Sequence, residues 1–292
     1  MRVGIVILPE HRWWAAEPKW RAAEEYGFDH AWTYDHLGWR SLVDGPWFSA
    51  VPTLTAAALV TSRIRLGTYV ASPNFRHPIP FARDVAALDD VSDGRLLVGI
   101  GAGGAGYDVE VLGGRELPPR ARVDRYGEFV ELLDTVLTND RTTWRGDYYE
   151  AVDARSAPGC VQRPRAPLVL AANGRRSMRL VARHGDGWVT TGRQTEDERE
   201  WWSSVVELSS VMDEVLASEN RGSASVDRYL SLDSGGEYGL TSVEYFRDAL
   251  GRARELGFTD VVVHWPRSDG PYAGHESVLE AVAAEVLPAL RP

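Results

Sequence analysis

The chain has 292 residues, 44% hydrophobic and 25% charged, with a net charge of −10, the profile of an ordinary globular protein. That acidity excludes a nucleic-acid partner, because phosphate neutralisation needs clustered Lys and Arg and here Arg is interleaved with Asp and Glu. The single cysteine, Cys160, excludes an internal disulfide and a multi-thiolate metal centre and fits a reducing cytoplasm. No apolar run approaches the roughly 18 residues of a membrane span, and no leader segment is visible.

Val3–Leu8 reads as a strand and Lys19–Tyr26 as a helix closed by Gly27. His30–Tyr34 is a second strand, followed by a long aromatic loop through Phe48 and a helix over Thr53–Thr61. Ile64–Val70 is a β-branched third strand, and Ile79–Val91 a helix with Pro80 in its first turn, where a missing N–H costs little. The fourth strand, Leu96–Ile100, runs into a glycine-rich loop, and a helix follows at Asp124–Leu137. Thr143–Glu150 reads as a small hairpin. Strand Leu168–Ala171, helix Ser177–Arg183, strand Gly187–Thr190 and a long helix over Glu196–Ala217 come next. Strand Asp227–Leu232, helix Val243–Leu256, strand Asp260–Val263 and helix Glu276–Leu287 complete the chain. Eight strand-then-helix units with no linker or repeat predict an α/β fold, a (β/α)₈ TIM barrel as one domain over 1–292, with a hairpin inserted near 141–150. They also place any chemistry at the carboxyl ends of the strands.

Three such ends stand out. Gly99-Ile100-Gly101-Ala102-Gly103-Gly104 matches a dinucleotide fingerprint, but a long loop with Pro118-Pro119 follows where that motif needs an immediate helix. The run then reads either as backbone that lets a flat ligand approach closely or as a plain loop. Asn173-Gly174-Arg175-Arg176-Ser177 opens a helix, where free N–H groups and two Arg suit a phosphate; a simple capped turn is the competing reading. His36 sits at the end of strand two among Trp32, Trp39, Trp47 and Phe48, suited to general acid or base work in an aromatic pocket. Asp35 is adjacent and points to the opposite face if strand geometry persists. No metal-ligand motif or nucleophile elbow appears, and Cys160 reads as an inert loop thiol. Trp201 and Trp202 lie about 100° apart on one helix, which places one of them at a subunit contact and favours a homodimer.

At these residues the chain resembles the luciferase-like monooxygenase superfamily, and specifically its branch that uses the deazaflavin coenzyme F-420. The resemblance rests on Asp35-His36, Leu66–Pro73, Leu88–Arg95, the run from Gly99, and His184–Trp188. It implies a luciferase-like barrel with the cofactor across the strand ends, pressed by a non-proline cis peptide at Tyr69–Val70. It further implies that Asp35, Ser72, Ala102 and Gly103 meet the cofactor ring, that Asn173, Gly174, Arg175, Arg176 and Ser177 hold its phosphate, and that His36 and Trp39 are catalytic. The glucose-6-phosphate dehydrogenases of this branch carry a catalytic Glu where this chain has Gly104, with Asp108 nearby but displaced; sugar-phosphate oxidation is therefore not expected.

Three functions follow from the resemblance. The first is an F-420-dependent oxidoreductase that moves a hydride to or from a small organic substrate, with His36 as proton donor or acceptor. The second is an FMN-dependent monooxygenase supplied by a separate reductase and using O₂. The third is a flavin- or deazaflavin-binding protein without catalysis.

Overall fold

A computed structural model describes residues 1–290 of the chain. Its elements are β1 (Arg2–Val6), α1 (Trp13–Glu25), β2 (His30–Thr33), α2 (Ala50–Val60), β3 (Arg65–Thr68), α3 (Pro78–Val91), β4 (Leu96–Ile100), α4 (Tyr107–Glu110), α5 (Pro119–Thr138), β5 (Arg141–Arg145), β6 (Glu150–Arg155), β7 (Leu168–Ala171), α6 (Arg175–His184), β8 (Gly187–Thr190), α7 (Glu198–Ser218), β9 (Asp227–Ser231), α8 (Val243–Glu255), β10 (Asp260–His264) and α9 (Glu276–Glu285). Eight strands are parallel and close in the order β1-β2-β3-β4-β7-β8-β9-β10, with β10 back against β1; β5 and β6 form a separate antiparallel pair. The (β/α)₈ expectation holds.

The period of two along each strand splits the apolar residues into two bodies. Val6, Trp32, Tyr69, Leu97, Val169, Val189, Tyr229 and Val262 fill the barrel. The outer strand faces pack with the helices around Trp20, Phe81, Phe129 and Val181. Inside the barrel, large side chains need vacant neighbours. Register sets Trp32 beside Gly67, where a Cβ would come within 2.4 Å of the indole. Trp32 is thus core, not pocket rim. Below it the indole N–H donates to His30 Nδ1 at 2.6 Å, so His30 carries its proton on Nε2 and donates to Asp260 at 3.0 Å. Burial pushes the Asp260 carboxyl up, but the bonds from His30 and Arg2 outweigh it and leave it below its usual value.

Several boundaries differ from expectation. Helix α1 begins at Trp13, six residues before the expected Lys19, and runs through Pro18. Helix α5 begins at Pro119, whose missing N–H falls on a position with no intrahelical partner. The hairpin is longer than 143–150: its turn lies at 146–149, where the Glu128 carboxylate accepts from Asp147, Tyr148 and Tyr149 N–H groups. The loop after β4 contains one helical turn, α4, that the sequence reading omitted.

Both Trp201 and Trp202 are buried within this chain, their rings edge to face at 4.8 Å. Trp201 donates to Thr191 O, while Trp202 lies under Arg252 of α8. Helix α7 packs against α6 on one side and reaches α8 on the other, so two adjacent faces are covered at once. The argument for a subunit contact through one of these indoles is thereby removed.

Candidate active site

A cavity of about 720 Å³ opens at the carboxyl end of the barrel. In an eight-strand ring β7 and β8 stand across from β1 and β2. The cavity spans that diameter. One end has Asn173 and Ser177 at the start of α6; the other has His36, Trp39 and Arg40 from the loop after β2. Val70, Ala102, Ala171 and Val189 contribute apolar side chains between those ends. The Tyr69–Val70 peptide is cis, and both residues line the cavity.

His36 Nδ1 lies 2.6 Å from Asp108 Oδ2, and Asp108 Oδ1 accepts the Leu37 N–H at 2.8 Å. Asp108 is buried on α4. A carboxylate accepts, so Nδ1 carries the proton and Nε2 faces the cavity free to take or give one. Trp47 donates to the His36 carbonyl at 2.8 Å and fixes the backbone. The Asp–His pair that the neighbouring Asp35 cannot make is thus supplied from the glycine-rich loop.

Asp35 leaves the strand on the other side. It is buried and takes both Nη2 and Nε of Arg76, at 2.6 and 3.0 Å. It does not line the cavity. Of the other residues expected at the cofactor, Tyr69, Val70, Ala102, Asn173 and Ser177 are brought together with His36 and Trp39. Ser72, Gly103, Gly174, Arg175 and Arg176 are not on that surface. Ser72 is buried, and Gly103 turns with φ 71° against the Asn74 side chain. Arg175 pairs with Glu214, and Arg176 with Asp124. Asn173 does not cap the helix: its amide donates to Thr191 Oγ1 and Gly192 O and its oxygen accepts from Thr190, tying β7 to β8. The N-cap is Gly174, without a side-chain bond, so the first N–H groups of α6 remain free of a side-chain cap.

Sequence reasoning missed the polar wall formed by Tyr34, Ser231, Asp233 and Tyr272. Behind it stands His264 at the end of β10, bonded to Asp233 and Tyr34. The available signal was position alone, since Asp233 and His264 sit at the ends of strands seven and eight of the barrel. Tyr69 buries its hydroxyl beside Ser231, closing the floor of the cavity. By contrast, Leu88–Arg95 is structural. Asp89 accepts from Gln162, and Arg95 donates to the Ala58, Thr61 and Ile64 carbonyls, on the side of the barrel away from the cavity.

The family model described as luciferase-like monooxygenase matches residues 1–224. The chain belongs to the luciferase-like monooxygenase family. Among relatives of this luciferase-like chain, the F-420-dependent glucose-6-phosphate dehydrogenase of Beutenbergia cavernae is 31% identical, covering 92% of this chain and 91% of that one. That of Amycolatopsis mediterranei is 37% identical over 58% of this chain, which spans half the length of that relative. In fold, an F-420-dependent secondary alcohol dehydrogenase in complex with an F-420–acetone adduct superposes with TM-score 0.82 at 19% identity, over 100% of this chain and 99% of that one. An F-420-dependent tetrahydromethanopterin reductase from Methanopyrus kandleri gives 0.78 at 18%, covering 99% of both chains. Among the described residues no helix is long and apolar enough to cross a membrane.

Proposed function

We propose that this luciferase-like protein is an oxidoreductase that uses coenzyme F-420 to exchange a hydride with a small organic substrate, His36 handling the proton. The observation that carries the reading is the cavity's polarity along its length. Uncapped N–H groups stand at one end, apolar side chains line it between, and an acid-backed imidazole stands at the other. The residues present fit such a cofactor. Gly174, where an added Cβ would meet nothing within 4 Å, leaves the α6 start open for a phosphate. Val70 and Ala102 are small apolar residues that suit the face of a flat ring.

Bound F-420 supplies a ring carbon that gives or accepts the hydride. The chain's own residues do the rest. Asp108 holds the His36 proton on Nδ1 and so presents Nε2 to the substrate. In oxidation Nε2 takes the substrate's hydroxyl proton, and in reduction the imidazolium returns it. Trp39 walls the same end. Position 104 carries no acid and Asp108 is already engaged by His36, so the substrate is expected to be something other than a hexose phosphate. The relatives named F-420-dependent support the cofactor.

The test is a titration of the purified protein with oxidised F-420 and with FMN, followed by ligand fluorescence. F-420 binding in the micromolar range or tighter, with FMN much weaker, is expected. The reverse order replaces this reading with a flavin monooxygenase, to be checked by oxygen uptake. Tight F-420 binding with no turnover over a broad panel of alcohols and ketones leaves a binding protein.

A further inference from the structure

Four buried or half-buried groups from distant parts of the chain are joined end to end beside the proposed substrate site. Asp233 Oδ2 lies 2.7 Å from His264 Nδ1, and the same carboxylate accepts the His264 and Gly239 backbone N–H groups, both of its oxygens being used. His264 Nε2 is 2.9 Å from Tyr34 Oη, and Tyr34 Oη is 2.9 Å from Tyr272 Oη. The Tyr272 ring stacks on His264 at 3.6 Å and 5°. Tyr34 and Tyr272 line the cavity, and His264 does not.

These bonds leave only two proton arrangements. The carboxylate fixes a proton on His264 Nδ1 in both. With His264 neutral, Nε2 accepts from Tyr34, which accepts from Tyr272. With His264 protonated, Nε2–H donates to Tyr34, Tyr34 to Tyr272, and the Tyr272 proton points into the cavity. One proton gained or lost reverses every bond, the behaviour of a relay and not of a static brace.

We propose that Asp233, His264, Tyr34 and Tyr272 form a proton relay, opening at the Tyr272 hydroxyl, that gives the reaction a second proton route beside His36. The inference rests on the oxidoreductase reading above. In reduction, the bound cofactor would supply the hydride that bonds to the carbonyl carbon, and the carbonyl π pair would move to oxygen. That oxygen takes the Tyr272 proton, Tyr272 takes that of Tyr34, and Tyr34 takes that of His264 Nε2, which ends neutral. Oxidation runs the same moves backward. Tyr272 is the catalytic member; Tyr34 and His264 carry the proton to and from it, and Asp233 is a positioning residue.

The groups facing the relay suit this use. Burial pushes the Tyr272 hydroxyl up to about 12 and raises Tyr34 well above its ordinary value, so both stay protonated donors at neutral pH. Tyr69 and Asp233 act on Tyr34; Arg40, Arg267 and Asp233 act on Tyr272; Tyr238 donates to the His264 carbonyl. His36 reaches the same end, its ring edge to face with Tyr34 at 5.8 Å.

The test uses the whole protein and Tyr272→Phe, which keeps the stacked ring and removes only the hydroxyl. The decisive readout is the rate at which the His264 ring protons exchange with water, measured by NMR saturation transfer without cofactor. Exchange that runs through Tyr272 slows severalfold in Tyr272→Phe, while thermal unfolding is unchanged. An unchanged exchange rate overturns the relay. With F-420 bound and cyclohexanone as acceptor, His36→Gln retains turnover through the relay, and His36→Gln with Tyr272→Phe lowers kcat about 100-fold below His36→Gln alone, the scale of one lost acid, while F-420 affinity stays at the wild-type value. A double variant that turns over as fast as His36→Gln also overturns it. If exchange slows but wild-type protein binds no F-420, the relay stands and the oxidoreductase reading fails.

Discussion

Asp108→Asn separates orientation of His36 from its mere presence. In the wild-type protein Asp108 Oδ1 accepts the Leu37 N–H at 2.8 Å and Oδ2 faces His36 Nδ1 at 2.6 Å. An amide keeps only one oxygen. If it stays on Leu37, where the backbone N–H has no other choice, the NH₂ group turns to His36 and Nδ1 must become the acceptor. The imidazole proton then moves to Nε2, and the ring can no longer act as a base toward the cavity. A short charge-assisted bond of this kind is worth about 1.5–3 kcal/mol, or roughly 10- to 150-fold in rate at about 1.4 kcal/mol per decade. In a Tyr272→Phe background, where His36 is left to carry the proton, we therefore expect Asp108→Asn to lower kcat for alcohol oxidation about 100-fold, with F-420 affinity and unfolding temperature unchanged. The assay is F-420 reduction followed by absorbance, paired with a binding titration. An Asp108→Asn change that leaves kcat of the Tyr272→Phe protein unaltered would refute the role given to the pair. Loss of F-420 binding in parallel would move Asp108 from proton handling to cofactor placement.

Gly67→Ala puts a methyl 2.4 Å from Trp32 and 2.8 Å from Leu97 O, and overpacking there should cost about 1–3 kcal/mol, read as a lowered denaturation midpoint; unchanged stability would mean the barrel interior yields freely. Glu24 accepts from the Ser62, Arg63 and Ile64 N–H groups; burial pushes its carboxyl up, but those bonds win and hold it at about 2. Its stabilisation is present above the ordinary carboxylate range and lost as pH falls toward 2, so Glu24→Gln should be less stable by roughly 1 kcal/mol at neutral pH, given screening, with the gap closing in acid; a gap independent of pH would refute this. Gly174→Asp supplies the cap that α6 lacks and should raise stability by a few tenths of a kcal/mol, yet place a negative charge where phosphate is proposed, weakening F-420 binding at least about tenfold, or roughly 1.4 kcal/mol; undiminished affinity would locate the phosphate elsewhere.

The barrel was legible because its signal is local: strand periodicity, a glycine after α1, a proline at the head of α3. Two helix starts moved toward the N-terminus past a proline: α1 runs through Pro18 and α5 begins on Pro119, where a first-turn proline costs little. The site divides in the same way. His36, Trp39 and Asn173 follow strands and were visible for that reason, whereas Val70 came with the family resemblance. Asp108 could be seen only as a nearby acid, because its bond to His36 crosses 72 positions and depends on a single helical turn. The Tyr34–His264 contact spans 230 positions, and nothing in either neighbourhood announces the other. Trp201 and Trp202 failed differently: helical geometry places them on different faces, and packing covers both.

Charge pairing decides which of the expected cofactor contacts remain available. The Arg175–Glu214 and Arg176–Asp124 pairs are exposed, with side chains 55% and 56% and 48% and 37% accessible. Such surface pairs are worth about 0–1 kcal/mol, so a phosphate anion at the proposed site on the α6 start would draw either guanidinium from its carboxylate at little cost. Asp35 is in the opposite position. Its carboxylate is 2% accessible and takes two bonds from Arg76, whose half-buried guanidinium also pairs with Asp84 at 3.5 Å. Turning it toward a ligand would give up a two-pronged charge-assisted bond worth about 1.5–3 kcal/mol, as much as one bond to a ligand returns. Asp35 is thus committed to anchoring Arg76 and the loop after β3, while the α6 arginines, off the cavity surface, would have to leave their carboxylates to reach it.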